Sequence, residues 1–276
     1  MTYIITPSEL IKKLEKDETV VIDVRSDLYH PDLGYASYVK GHIPGAYYLH
    51  LEKDLSGRVE QHGGNHPLPN MDELAKRLGE IGIDHSTHVV IYDADNDMFA
   101  SRAWWLLYYM GHEQVFVLEG GYKAWSEASY EVVMDIPARK AKKFIPQLRP
   151  EVIANIEDVK RRDDKSVLID SRAKERYLGK TEPLYKKAGH IPGAKNYFWR
   201  DVLNDKGVWK KPEELKEHFE KLKDADEIIV SCGSGISACP NFIALKMAGY
   251  KNVKLYPGSF SDWISYKDNP VETKEE

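Results

Sequence analysis

Apolar residues fall along this chain in short β-branched runs, among them "TVVIDV" from Thr19, "HVVIYD" from His88 and "VFVLEG" from Val115. Between them lie longer stretches with the three-to-four residue spacing of helices, such as "NMDELAKRLGEIGI" from Asn70 and "SRAWWLLYYMG" from Ser101. Short apolar strands alternating with amphipathic helices predict βαβ units, and hence an α/β fold whose parallel sheet is covered by helices on both faces.

The same pattern is written twice. "VVIDVRSD" from Val20 and "GHIPGAYYLH" from Gly41 return as "VLIDSRAKERY" from Val167 and "GHIPGAKNYFW" from Gly189. A third block agrees in order and spacing, aligning Gly111 with Gly249, Trp125 with Trp263, and Asp93 with Cys232. A period of this length predicts two homologous domains. The boundaries expected are residues 1–125 for the first, 149–276 for the second, and a linker over 126–148, where prolines and a basic run interrupt the periodicity.

The repeated "GHIPGA" has a backbone explanation. Proline fixes its own φ and biases the isoleucine before it toward an extended conformation, and the glycine after it permits a sharp entry into the next strand. His42 and His190 are therefore expected to satisfy loop carbonyls. Arg25 and Arg172 follow strand-terminal acids in "IDVR" and "IDSR"; their presence in both halves predicts ion pairs of the scaffold.

Composition narrows the function. The 276 residues are 42% hydrophobic and 30% charged, as in globular proteins that bury a core. A net charge of −5 provides no broad cationic field for nucleic acid or an anionic membrane. No run approaches the roughly 18 apolar residues of a spanning helix, and the amino-terminal stretch lacks a signal pattern, so a cytoplasmic protein is expected. The two cysteines, Cys232 and Cys239, are too few for a disulfide framework or a metal cluster, and Cys239 reads as a small buried hydrophobe.

Cys232 differs, because it ends the strand "EIIVS" and opens the loop "CGSGIS", where functional groups of open parallel sheets collect. Small residues there let successive N–H groups turn toward one centre ahead of the helix "ACPNFIALKMAG", a nest that stabilises an anion, and the nearest anion is the Cys232 thiolate. In the first half the matching position holds Asp93 followed by an acidic loop. A carboxylate cannot accept and pass on sulfur, so the first domain reads as a catalytically inactive copy.

The tandem "IDVR" and "IDSR" strands, the repeated "GHIPGA", the aspartate-for-cysteine difference and "CGSGISA" together resemble the two-domain rhodanese sulfurtransferases over essentially the whole chain. The resemblance implies two tandem rhodanese-like domains, each a five-stranded parallel sheet flanked by helices. It implies that Cys232 takes a sulfane sulfur from a small donor, holds it as a persulfide and gives it to a thiophilic acceptor: cyanide, a thiol, or a protein thiol such as that of a thioredoxin. No metal or organic cofactor is required. Gly233, Gly235, Ile236 and Ser237 would form the persulfide cradle, and Ser234 would assist catalysis by hydrogen-bonding sulfur or relaying a proton.

The loop after the cysteine bears on the donor. Thiosulfate enzymes of the family carry basic residues there, which suit a dianion, whereas "CGSG" followed by a small aliphatic and a hydroxyl residue resembles the 3-mercaptopyruvate enzymes. The latter donor is favoured. Of the two arginines with which those enzymes grip the donor carboxylate, one matches Arg176 in "KERYLGKTEP"; the other falls near "EPLYKK", where Tyr185 and Lys186 stand instead. Lysine keeps the charge of arginine but not its planar fork. From the first half, His66 in "GNHPLPN" and Asp54 in "EKDLSG" resemble residues brought to the substrate.

A cysteine phosphatase, whose fold is related, would need an arginine six positions after the cysteine, and Ala238 stands there. The remaining alternative is a non-turnover sulfur carrier or interaction module, which would form the persulfide but turn over slowly with small acceptors.

Overall fold

A computed structural model describes residues 2–15, 19–95 and 98–274. The chain forms two compact units: the first comprises Met1–Gly57, Leu68–Arg149 and Asp205–Trp209, the second Arg58–Pro67, Pro150–Asn204 and Lys210–Glu276.

The first unit runs β1 (Ile4–Ile5), α1 (Pro7–Leu14), β2 (Thr19–Asp23), α2 (Asp32–Lys40), β3 (Ala46–Tyr48), α3 (Met71–Glu80), β4 (His88–Tyr92), α4 (Met98–Tyr109), β5 (Val115–Leu118) and α5 (Gly121–Glu127). Its five strands lie in the order β1-β5-β4-β2-β3, all parallel. Every residue of β2 is buried, as expected of a strand covered on both faces. Helix α4 is buried from Phe99 to Leu107, which is why its sequence is apolar nearly all round. Residues 126–148 belong to this unit, where Val133 bridges His42, the Lys142 N–H bonds Gly79, and Phe144 is buried.

The second unit contains α6 (Ile156–Arg161), β6 (Ser166–Asp170), α7 (Lys174–Tyr177), β7 (Lys195–Asn196), α8 (Pro212–His218), β8 (Glu227–Ser231), α9 (Cys239–Met247), β9 (Val253–Leu255) and α10 (Ser259–Trp263). Its sheet has four strands, β7-β6-β8-β9, all parallel, one fewer than the family resemblance implies. The fifth place is held by a single bridge between Ile153 and Leu255: Pro150 begins a 3₁₀ turn just before it and Asn155 caps α6 just after, leaving no length for a strand.

The repeated turn is built alike in both units. Gly45 and Gly193 adopt φ of 76° and 70°, a conformation that costs glycine nothing. His42 Nδ1 meets the Tyr38 carbonyl at 2.8 Å and His190 Nδ1 the Tyr177 carbonyl at 2.7 Å, each imidazole stacked on that tyrosine's ring. Arg25 pairs with Asp23 and Arg172 with Asp170, each at 2.6 Å, and each arginine donates to the carbonyl of the turn's first glycine, Gly41 or Gly189, at 2.7 Å. The expected scaffold roles of the histidines and arginines thus have one geometry in two copies.

In the second sheet the chain passes from β6 to β7 on one side and then to β8 on the other. The order reverses between β6 and β8, and a crevice at their carboxyl ends is the usual place for a ligand. Arg172 follows β6 and Cys232 follows β8.

Candidate functional site

Cys232 is 1% exposed. Its backbone is fixed from the turn that begins α10: the Cys232 N–H donates to Ser259 Oγ at 3.0 Å, and the Cys232 and Gly233 carbonyls accept from the N–H groups of Phe260 and Ser261. The Gly235 N–H points back at Cys232 Sγ at 3.1 Å, which requires the φ of +78° that Gly235 adopts. A Cβ on Gly235 would also lie 2.3 Å from the Pro257 carbonyl oxygen. Small residues are therefore demanded twice, by backbone conformation and by close approach. Ser259 Oγ lies 4.0 Å from the same sulfur.

The other cradle residues continue into the helix. The Ile236 carbonyl accepts from the Cys239 N–H, and Ser237 is half-buried. Cys239 is fully buried, its thiol directed at the Gly235 carbonyl at 3.4 Å. Ser234, 9% exposed, has its hydroxyl 2.7 Å from His66 Nδ1.

His66 reaches that position because Arg58–Pro67 packs as part of the second unit. His62 stacks on Tyr266 at 4.0 Å and bonds Ser265, the Gly63 N–H donates to Asp262 at 2.7 Å, and the Asn65 N–H donates to Ser261 at 3.1 Å. Asp262 is itself held by the Tyr256 hydroxyl at 2.5 Å. Helix α10 therefore anchors both the cysteine backbone and the histidine.

On the β6 side, Arg172 is buried, its guanidinium stacked over Phe260 at 4.2 Å. Burial works against its charge, but Asp170, Glu182 and the nearby Cys232 outweigh it and hold its ionisation above the ordinary arginine value. Glu182, with a side chain 2% exposed, receives Arg172 Nη1 at 3.2 Å and Arg176 through Nε at 3.2 Å and Nη2 at 2.8 Å. Arg176 keeps 21% of its side chain exposed beside an open hollow lined also by Ala173, Glu175, Thr181 and Pro183. Lys186 is exposed. Asp54 lies in the first unit, where its carboxylate accepts the His50 N–H at 2.7 Å in the turn after β3.

Three residues of this setting are not among the sequence-derived site residues. Glu182 carries no local signal, since its burial depends on two arginines meeting it. Ser259 does leave a trace: it stands where the first half has Gly121, and both adopt positive φ, 52° and 57°. Tyr185 is the third, with its hydroxyl over Gly233.

The matching position of the first unit is filled differently. Asp93, 1% exposed, accepts the N–H groups of Phe99 and Ala100 at 3.0 and 3.1 Å, so a carboxylate occupies the place where the other unit holds sulfur. Asn96 and Asp97 of the acidic loop lie outside the described residues. Among the described residues no cluster of histidine, cysteine and acidic side chains could hold a metal, and no helix is long and apolar enough to cross a membrane.

Comparison with known proteins agrees with this duplication. The family model for the rhodanese-like domain matches twice, over residues 6–128 and 153–266. A Pseudomonas aeruginosa protein named "Probable 3-mercaptopyruvate sulfurtransferase" is 36% identical over 98% of each chain. A thiosulfate sulfurtransferase from Cricetulus griseus is 32% identical over 86% of this chain and 81% of its own. Among solved structures, that of the 3-mercaptopyruvate sulfotransferase SseA from Escherichia coli superposes with a TM-score of 0.82 at 31% identity, covering 95% of this chain and all of the other.

Proposed function

Because the chain belongs to the rhodanese family in both of its halves, we propose that it is a sulfurtransferase in which Cys232 carries a sulfur atom from a small donor to a thiophilic acceptor. The observation that carries this reading is the Gly235 N–H at 3.1 Å from a buried Cys232 Sγ, at the crevice where the strand order reverses. Such a donor stabilises negative charge on sulfur, both on the attacking thiolate and on the persulfide that follows.

With 3-mercaptopyruvate, the Cys232 thiolate attacks the donor's sulfur. An S–S bond forms, the C–S bond breaks, and its electron pair leaves on pyruvate enolate. The Ser234 hydroxyl gives the enolate carbon a proton and is reprotonated from His66 Nδ1, 2.7 Å away, as His66 Nε2 takes up a proton from solvent. In the second half-reaction an acceptor attacks the outer sulfur and Cys232 leaves as a thiolate. Cyanide yields thiocyanate, and a thiol, including one on a protein such as thioredoxin, yields a persulfide. The chain's own residues suffice for these steps.

The charges around the site favour 3-mercaptopyruvate over thiosulfate. Arg172 and Arg176 are matched by Asp170 and Glu182, so the wall beside the cradle is close to neutral. A dianion entering so enclosed a site needs cations that are not already paired. A single carboxylate is served by the exposed edge of Arg176 and by Lys186.

The test is intact-mass measurement after incubation with each donor, on the parent protein and on Cys232→Ser and Cys239→Ser variants. The expected result is a gain of one sulfur atom in the parent and in Cys239→Ser, and none in Cys232→Ser. No gain with either donor would sink the reading. A stable adduct that neither cyanide nor a small thiol discharges would turn it toward a sulfur carrier.

A further inference from the structure

Tyr185 closes the cradle on its Gly233 side. A Cβ built on Gly233 would lie 2.5 Å from the Tyr185 hydroxyl oxygen and 3.3 Å from the ring atoms Cε2 and Cζ, so the phenol lies directly over the residue after the cysteine. The ring is held from several directions. It stands edge-on to Phe260 at 5.9 Å, packs against the core of the second unit, and has the Arg176 guanidinium 5.4 Å from its centroid. The loop bearing it is pinned by Glu182, which takes the Leu184 N–H as well as both arginines. Burial first, and then the charge of Cys232, push the ionisation of this phenol upward. At neutral pH the phenol keeps its proton and can donate it, with Ser234 within hydrogen-bonding reach of its oxygen.

A neutral donor beside the sulfur distinguishes two kinds of substrate. In 3-mercaptopyruvate the carbonyl oxygen adjoins the carbon that loses sulfur, and it gathers charge as the enolate forms. An aligned O–H strengthens its hydrogen bond to such an oxygen as that charge develops. Thiosulfate has no carbonyl and brings two charges, for which a phenol is no substitute for a cation. Building on the function proposed above, we propose that Tyr185 sets donor choice, donating its hydroxyl hydrogen to the keto oxygen of 3-mercaptopyruvate as that oxygen becomes the enolate oxygen.

The experiment compares kcat/KM for the two donors, with cyanide as acceptor, in the parent, Tyr185→Phe and Tyr185→Arg. The phenylalanine keeps the ring over Gly233 and under Arg176 and removes only the hydroxyl. Its kcat/KM for 3-mercaptopyruvate should fall about 100-fold, as on losing one oxyanion donor, while that for thiosulfate stays within about twofold. Tyr185→Arg should raise the thiosulfate to 3-mercaptopyruvate ratio at least about 10-fold. Equal losses with both donors, or no loss in Tyr185→Phe, would overturn the assignment; the phenylalanine variant decides it even where the arginine variant fails to fold. The mass measurement separates the two levels. A persulfide in the parent with an unchanged ratio in Tyr185→Phe defeats the donor assignment alone, whereas no persulfide in the parent defeats both.

Discussion

Asp93 and Cys232 stand at equivalent places in two copies of one fold, each at the carboxyl end of an interior strand, Asp93 receiving two N–H groups from the first turn of α4 and Cys232 one from the loop ahead of α9. In the first unit the N–H groups of Phe99 and Ala100 cap a carboxylate, and the arrangement is complete as a helix cap. In the second the N–H of Gly235 meets a sulfur that can change bonding partners. The scaffolds beneath, from the Asp–Arg pair to the stacked histidine, are the same. The difference is that the fold offers backbone N–H groups to an acceptor at this place in both copies, a carboxylate in one and a sulfur in the other, and under the function proposed above that one residue separates architecture from chemistry.

The sharpest way to break the comparison is to remove the sulfur. Cys232→Ser should lower sulfur transfer by about 10⁴-fold or more, as on loss of a covalent nucleophile, with the thermal midpoint nearly unchanged. An active Cys232→Ser enzyme would place the chemistry elsewhere.

The buried arginines probe what the two units share. Arg25→Met and Arg172→Met each strand a buried carboxylate, Asp23 or Asp170, and each should cost about 3–5 kcal/mol in chemical denaturation. Only the second should also slow sulfur transfer in the protein that remains folded, since Arg172 alone lies beside Cys232. Equal effects on rate would erase the distinction between the units.

A pH experiment addresses the first unit by itself. His112 is fully buried, and burial, then His85, push its ionisation from 6.5 down to about 4. The folded state holds this imidazole neutral where the unfolded chain would protonate it. Its contribution is therefore whole above pH 6.5 and is lost as pH falls through about 4. The loss should reach about 3 kcal/mol, read as a decline in thermal midpoint that His112→Phe flattens. An identical decline in that variant would assign the acid sensitivity to other groups.

The smallest effects come from exchanging Gly121 and Ser259. Gly121→Ser puts a Cβ 2.5 Å from the Asp93 carbonyl oxygen at a φ of 57°, and should destabilise by about 1–3 kcal/mol. Ser259→Gly relieves the same backbone conformation but frees the Cys232 N–H. Stability should change by no more than about 1 kcal/mol while persulfide formation slows about 10-fold. A Ser259→Gly enzyme of full rate would show that the serine does nothing the glycine cannot.

Much of this was legible in the sequence, for a physical reason. Strand periodicity, the Pro-Gly turn and the Asp-x-Arg pair are local patterns whose meaning is set within a few residues, and repetition marked them as scaffold. The approach of the Gly235 N–H to Cys232 Sγ was legible because glycine and serine after a strand-terminal cysteine leave the backbone close to the sulfur. What stayed hidden depends on distant parts of the chain. Glu182 neutralises two arginines that composition alone leaves free. The His66 segment is held by side chains of α10 about two hundred residues later. The fifth strand of the second sheet shrinks to one bridge because its neighbours are already committed to a turn and a helix cap.

The burial of Cys232 also bears on handling the protein. A sulfur 1% exposed, with the Tyr185 phenol over the neighbouring Gly233, meets small reagents far more readily than bulky ones. Chemical inactivation will therefore rank by reagent size before it ranks by intrinsic reactivity, iodoacetamide ahead of large maleimides. The same burial slows the stepwise oxidation to which exposed thiols are prone on storage.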